Sequence, residues 1–323
     1  ETELKKIIDE KRGKSMDRLQ LDKNAKLTGR VYFKDEVMWL GLSGSGASFT
    51  FDGTKLVLKL KGDNIAVGDN PIDYARIAVY VDGKRVVDEM IDCAEKEVTV
   101  IDRTESAKSV VEIIKLSESP MSAVGIEAFA EGSAEALPEK PLKIEFIGDS
   151  ITCGYGVDDE DENHQFTTAT EDVTKAYAYK TAKALDAEYS MFSASGYGIV
   201  SGYTEGDEPI SEQTIPQFYC SYGFSRGNFA GTAPQDIPWD FSKYIPQIIV
   251  INLGTNDDSY CRDHKDRQAV FSKLYADFLA VVREKNPQAY ILCTVGIMGE
   301  RIFPAVEELS LIHISEPTRR SYI

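Results

Sequence analysis

Residues 143–151 read KIEFIGDSI. The apolar run over residues 142–147 has the composition of a buried strand, and it stops at Gly148-Asp149-Ser150. Gly-Asp-Ser is a commonplace turn. It is also a way to present a serine hydroxyl at the carboxyl end of a strand, where open α/β sheets bind their ligands.

The pattern repeats downstream. TKAYAYKTAKALDA (174–187) has helical spacing, and EYSMFSASGYGIV (188–200) is a strand running into a Gly-rich turn. IPQIIVINLGTND (245–257) is a strand with a polar end, RQAVFSKLYADFLAVVREKNP (267–287) an amphipathic helix stopped at Asn286-Pro287, and AYILCTVGIMG (289–299) another strand. Strands alternating with helices predict a three-layer α/β domain with a parallel sheet.

Upstream the period changes. VYFKDEVMWLGLS, GASFTFDGT, KLVLKLKGD, YARIAVYVDGKRVVDEMI, KEVTVIDRT and SVVEIIKLS are short alternating runs punctuated by Gly, Asp and Asn, with an Asp-Gly hairpin signal inside residues 81–84. They predict an N-terminal β-sandwich over residues 28–132. GSAEALPEKP (132–141) is small, polar and Pro-containing, so residues 133–141 read as a linker and 142–308 as the α/β domain. Residues 1–27 read as a charged, helix-like N-terminal extension. No internal repeat is evident.

The chain has 323 residues, enough for two cores. Its 36 basic and 53 acidic side chains give a net charge of −17, which argues against nucleic acid and anionic membrane surfaces as partners. No apolar run is long enough to span a bilayer. The five cysteines (Cys93, Cys153, Cys220, Cys261 and Cys293) form no zinc spacing and are expected to be mostly reduced. The chain opens on Glu1, not Met. Its true start, and secretion versus cytoplasm, stay open on sequence grounds.

Acyl transfer needs a nucleophile, a base and donors for an oxyanion. Ser150 can supply the hydroxyl, Gly196 a backbone N–H with no side chain in the way, and Asn256 a side-chain N–H. Each turn alone is weak evidence, but their order and their places at strand ends are specific. Gly148-Asp149-Ser150, Gly196 and Gly254-x-Asn256-Asp257 match the first three signature blocks of the SGNH (GDSL-like) hydrolases. The string GDSITCGYG, with a sandwich containing WLGLSGSGASFTFDGT ahead of it, resembles carbohydrate esterase family 2 over roughly residues 28–300. The resemblance implies that the sandwich is a jelly roll. It implies a metal- and cofactor-free hydrolase that removes O-acetyl groups from xylan or related glycans. Ser150 would be the nucleophile, and the Ser150 N–H, Gly196 and Asn256 would form the oxyanion hole. An acetylated polysaccharide or oligosaccharide is then the expected partner. Non-catalytic glycan binding, and a lipase or thioesterase of the same superfamily, are the competing readings.

The fourth block of that family is a C-terminal histidine that accepts the serine proton. Only His164, His264 and His313 exist here. His164 lies in a polar loop, and His264 at a helix start. His313 lies in LSLIHISEPTRR (309–320), which matches the in-frame translation of a transposase adapter used in sequencing libraries. Residues 309–323 are therefore expected to be non-native, the α/β domain cut short and its catalytic histidine missing; a natural pseudo-enzyme with a changed tail is the competing account. Among the many aromatic residues, Tyr155 and Trp239 are singled out as substrate-binding candidates. Trp39 is expected in the core or between domains. Asp257 and Asp258 have no companions for a metal site.

Overall fold

The structure, a computed structural model, describes residues 16–298 and 301–313. The candidate tail beyond His313 lies outside the described residues. Strands β1 (Asp17–Leu19), β2 (Lys26–Thr28), β3 (Val31–Lys34), β4 (Val37–Leu40), β5 (Gly46–Gly62), β6 (Ala75–Val81), β7 (Lys84–Ile91), β8 (Glu95–Lys115) and β9 (Val124–Ala136) form one antiparallel sheet. A short helix, α1 (Leu21–Asn24), follows β1. The order is β3-β4-β9-β5-β8-β6-β7, with β1 added to β9 and β2 to β5. Residues 17–19 and 26–28, in the segment expected to precede the sandwich, already pair into this sheet, and β9 runs on to Ala136 before the chain leaves it. Asp82 and Gly83 both take positive φ in the β6–β7 hairpin, the twist such a turn requires.

Strand β5 shows how the sheet surrounds its core. Phe49 and Phe51 point inward, and beyond a register shift between Gly53 and Lys55 the inward set becomes Leu56, Leu58 and Leu60. One extra residue reverses the alternation, so the two halves of a 17-residue strand can face one core from different directions.

The second sheet is parallel: β10 (Lys143–Gly148), β11 (Glu188–Ser193), β12 (Ile248–Asn252) and β13 (Tyr290–Thr294), in the order β11-β10-β12-β13. Its helices are α2 (Ser150–Cys153), α3 (Tyr177–Ala184), α4 (Thr255–Cys261), α5 (Lys265–Lys285) and α6 (Phe303–His313). On one face Ile147, Phe192, Ile249 and Ile251 pack against Phe271, Tyr275, Phe278 and Val282 of α5. On the other, Ile144, Phe146, Tyr189 and Met191 pack against Ala178 and Ala182 of α3 and against Ala78, Ile114 and Leu116 of the first sheet. The antiparallel domain therefore serves as part of the outer layer of the parallel one.

Two insertions lock the domains. Arg30, between β2 and β3, is fully buried in the second domain and pairs with Glu145 at 3.3 Å. The loop 116–123, between β8 and β9, crosses to residues 171–173 and 224–226, through Val173 N–H to Leu116 O at 3.3 Å and Arg226 N–H to Pro120 O at 3.2 Å. Among the described residues no helix is long and apolar enough to cross a membrane.

Candidate active site

Register brings the three polar turns to one level. Gly148 is opposite Ser193 of β11 on one side and Asn252 of β12 on the other. The chain leaves β10 for one neighbour, β11, and later returns on its other side as β12, so the crevice at these carboxyl ends is a topological switch point.

Ser150 opens α2, directly after Asp149. The Asp149 carboxylate caps the helix by accepting the Ile151 N–H at 3.0 Å, and the Asp149 carbonyl accepts from Thr152 and Cys153. Gly148 cannot carry a side chain here: a Cβ would come to 2.0 Å from Thr152 Oγ1. Gly154 ends the helix at φ +83°, where Asp172 O again leaves no room for a Cβ. The Ser150 side chain is left half-buried at the mouth of the crevice. Its backbone N–H has no acceptor among the described residues.

Gly196 takes φ +79° in the turn after β11, and its N–H is likewise without an acceptor among the described residues. Its carbonyl accepts the Tyr203 N–H at 2.8 Å. Asn256, in the first turn of α4, donates through Nδ2 to Tyr197 O at 2.8 Å and lies 3.4 Å from Asp149 Oδ2. The longer contact is the weaker of the two.

Asp257 turns out to be a clamp. Its fully buried carboxylate accepts the N–H groups of Ile199, Val200 and Ser201, at 2.9, 2.6 and 3.1 Å respectively. Burial pushes its carboxyl up to about 6, the three donors opposing this. Burial likewise pushes Asp149 up to about 7, Ile151 N–H opposing and Asp257 reinforcing it. Asp258 is separate and pairs with Arg301 at 2.9 Å.

The aromatic candidates divide. Tyr155, whose N–H bonds Ser150 O at 3.2 Å, is 47% exposed and stacks on Phe166 with ring centroids 3.8 Å apart. Tyr203 is also exposed, beside Gly196. Trp239 is not with them. It is buried with Trp39, Tyr222 and Phe229 at the domain interface, where Tyr222 meets it edge-on at 5.1 Å and Arg30 lies over its ring. A sequence window that places Trp239 near the α/β domain's loops cannot show that its face is already covered. Phe166, in the polar loop beside His164, carries no local mark of a stacking partner in the sequence.

Among the described residues neither His164 nor His264 hydrogen-bonds Ser150. His164 is largely exposed and sits 2.9 Å from Asp159 through Nδ1. His264 is the residue before α5 and donates its N–H to Cys261 O. No side chain among those described hydrogen-bonds the Ser150 hydroxyl.

Behind the turns lies a buried polar cluster the sequence reading missed. Glu118, Cys153 and Glu171 hold one ligand-type atom each within 4.8 Å of one another. Lys115 is buried beside them and donates to Ser117 O at 2.7 Å and Glu118 O at 3.0 Å. Burial pulls the Lys115 ammonium down to about 8, with Glu171, Asp63 and Glu118 opposing.

Comparison with known proteins agrees with the two-domain reading. Residues 146–311 match the GDSL-like Lipase/Acylhydrolase family, and residues 27–141 the Carbohydrate esterase 2 N-terminal domain. Cellulase/esterase CelE of Acetivibrio thermocellus is 32% identical over 277 residues, which are 84% of this chain but 31% of that protein. An acetylxylan esterase / glucomannan deacetylase of Cellvibrio japonicus is 29% identical over 85% of the chain and 72% of its own length. A family two carbohydrate esterase from Clostridium thermocellum, solved with cellohexaose, superposes with a TM-score of 0.75 at 27% identity, over 91% of this chain and 86% of that one. An acetyl xylan esterase, Est2A of Butyrivibrio proteoclasticus, shares the fold with a TM-score of 0.81 at 20% identity, over 94% and 88% of the two chains.

Proposed function

Because the chain belongs to the GDSL-like lipase/acylhydrolase family and carries the N-terminal domain of carbohydrate esterase family 2, we propose that it is a serine esterase that removes O-acetyl groups from xylan or a related glycan. The carrying observation is the meeting of Ser150 with two unpaired amide N–H groups, its own and that of Gly196, at the level ends of adjacent parallel strands. In this reading the Ser150 oxygen attacks the acetyl carbon and its proton passes to a base. The Ser150 and Gly196 amides and Asn256 Nδ2 stabilise the oxyanion, and the sugar hydroxyl leaves with the proton. Water then releases acetate from the acylated serine by the same route. Each oxyanion donor contributes about 3 kcal/mol to lowering such a barrier.

A glycan substrate is supported by the names of the relatives and by the exposed Tyr155–Phe166 stack and Tyr203 around the crevice. Sugar rings pack on aromatic faces of this kind. The N-terminal sheet is read as a jelly roll that completes the esterase. For the base, neither His164 nor His264 is assigned. With residues 309–323 read as adapter-derived, the proposed base is a histidine in native sequence that runs on from about Glu308. Recovery of the gene's 3′ end tests this, and a native gene that ends as written here, with no such histidine, sinks it.

The decisive assay follows acetate release from acetylated xylan, with fluorophosphonate labelling of Ser150, in the full-length protein and its Ser150→Ala variant. Release and labelling that both vanish in the variant are expected. The 323-residue chain by itself should show little turnover of p-nitrophenyl acetate. Sugar binding that survives Ser150→Ala, without acetate release from the full-length protein, selects the glycan-binding reading instead.

A further inference from the structure

Between Ser195 and Ser201 the chain makes few bonds to itself and several to distant residues. Asp257 holds the N–H groups of Ile199, Val200 and Ser201. Tyr203 N–H holds the carbonyl of Gly196. At the near end Ser195 N–H donates to Glu118 Oε2 at 2.6 Å. That distance is short for an amide N–H and a carboxyl oxygen. The peptide planes before Ser195 and after Gly196 are thus both pinned. The plane between them carries the unpaired Gly196 N–H.

Glu118 does not belong to the parallel-sheet domain. It lies on the 116–123 loop, between β8 and β9 of the antiparallel sheet. Its place is over-determined: its N–H donates to Glu171 Oε2 at 2.9 Å, and its carbonyl accepts from Lys115 Nζ at 3.0 Å. The thiol of Cys153 approaches Glu118 Oε2 at 3.8 Å, and the neighbouring Ser119 hydroxyl donates to Phe224 O. The side chain is fully buried.

We propose that Glu118 is a positioning residue by which the antiparallel domain aims the Gly196 amide at the oxyanion. The proposal rests on the reading of Gly196 as an oxyanion donor. It gives the first domain a part in the chemistry that is distinct from binding sugar. A carboxylate suits the task because an acceptor deep in a dry interface holds an N–H more firmly than water does. Burial pushes the Glu118 carboxyl above its ordinary range, while Ser195 N–H and Lys115 oppose this.

The test compares Glu118→Met, which keeps the side-chain volume and removes the acceptor, with Glu118→Gln, whose amide oxygen still accepts from Ser195. The amide's protons can turn to Glu171 Oε1, a buried oxygen without a partner in the structure. In the full-length protein Glu118→Met should lower kcat by about 10- to 100-fold with KM little changed, the signature of a misplaced transition-state donor. Glu118→Gln should stay within about 3-fold of wild type, since the donor geometry is kept. Hydrogen exchange at residues 195–197 should quicken in Glu118→Met and not in Glu118→Gln. Equal losses in both variants, a loss that appears in KM, or a loss that tracks the fraction of unfolded protein overturns the proposal. If the wild type neither releases acetate nor labels at Ser150, the reading of the site fails separately. Exchange alone then decides on Glu118, and unchanged exchange in Glu118→Met refutes it.

Discussion

Replacing Arg30 by Met should damage the interface between the domains more than any surface change could. The guanidinium is fully buried, donates to Tyr219 O at 2.5 Å and to Ser221 O, and pairs with Glu145 at 3.3 Å. It also lies over the rings of Phe192, Tyr219, Trp239 and Phe241, 4.3 to 5.5 Å from their centroids. Met fills a similar space but, among the described residues, leaves the two carbonyls unpaired and the Glu145 carboxylate with the Tyr219 hydroxyl alone, at 2.8 Å. Removing one member of a buried ion pair costs about 3–5 kcal/mol. With a urea m-value of about 3 kcal/mol/M, the midpoint falls by roughly 1–1.7 M. Both tryptophans, Trp39 and Trp239, stand in this interface, so their fluorescence reports its loss directly. The double variant Arg30→Met/Glu145→Met removes the stranded charge and should recover more than half of the deficit. A midpoint shift equivalent to less than about 1 kcal/mol in the single variant would show that the pair is not what holds the domains. So would a double variant no better than the single one.

Two further perturbations address the nucleophile turn. The Asp149 carboxyl titrates near 7 when folded against 3.8 in its ordinary state. Its contribution is fully present below 3.8 and is lost as pH rises through about 7. The urea midpoint should thus be higher at pH 5 than at pH 8.5, by an amount equivalent to at most about 3 kcal/mol. Asp149→Asn should flatten that slope, Asp257 leaving a remainder, and a slope unchanged in the variant refutes the assignment. Gly148→Ala brings a Cβ to 2.0 Å from Thr152 Oγ1. It should destabilise the fold by about 1–3 kcal/mol and slow labelling of Ser150, with partial rescue by Thr152→Ala. A fully stable and reactive Gly148→Ala would mean that the turn can relax elsewhere.

Much of this molecule is legible from the sequence. Period-2 runs punctuated by Asp-Gly and Gly become the antiparallel sheet, and strands alternating with helical spacing become the parallel one. Gly148-Asp149-Ser150, Gly196 and Asn256 are visible because a sharp turn after a strand needs particular residues at particular places, a requirement met within a few residues. The same locality explains what could not be read. Trp239 has the composition of a sugar platform, yet it is sealed beneath Arg30, which comes from more than two hundred residues away in the chain. Phe166 gains a stacking partner only because Tyr155 folds onto it. Glu118 sits 77 residues before the amide it holds, in the other domain. Burial, pairing and the aim of an N–H are properties of what surrounds a group, and those neighbours are set by the packing of the two sheets, not by the residues adjoining it in the chain.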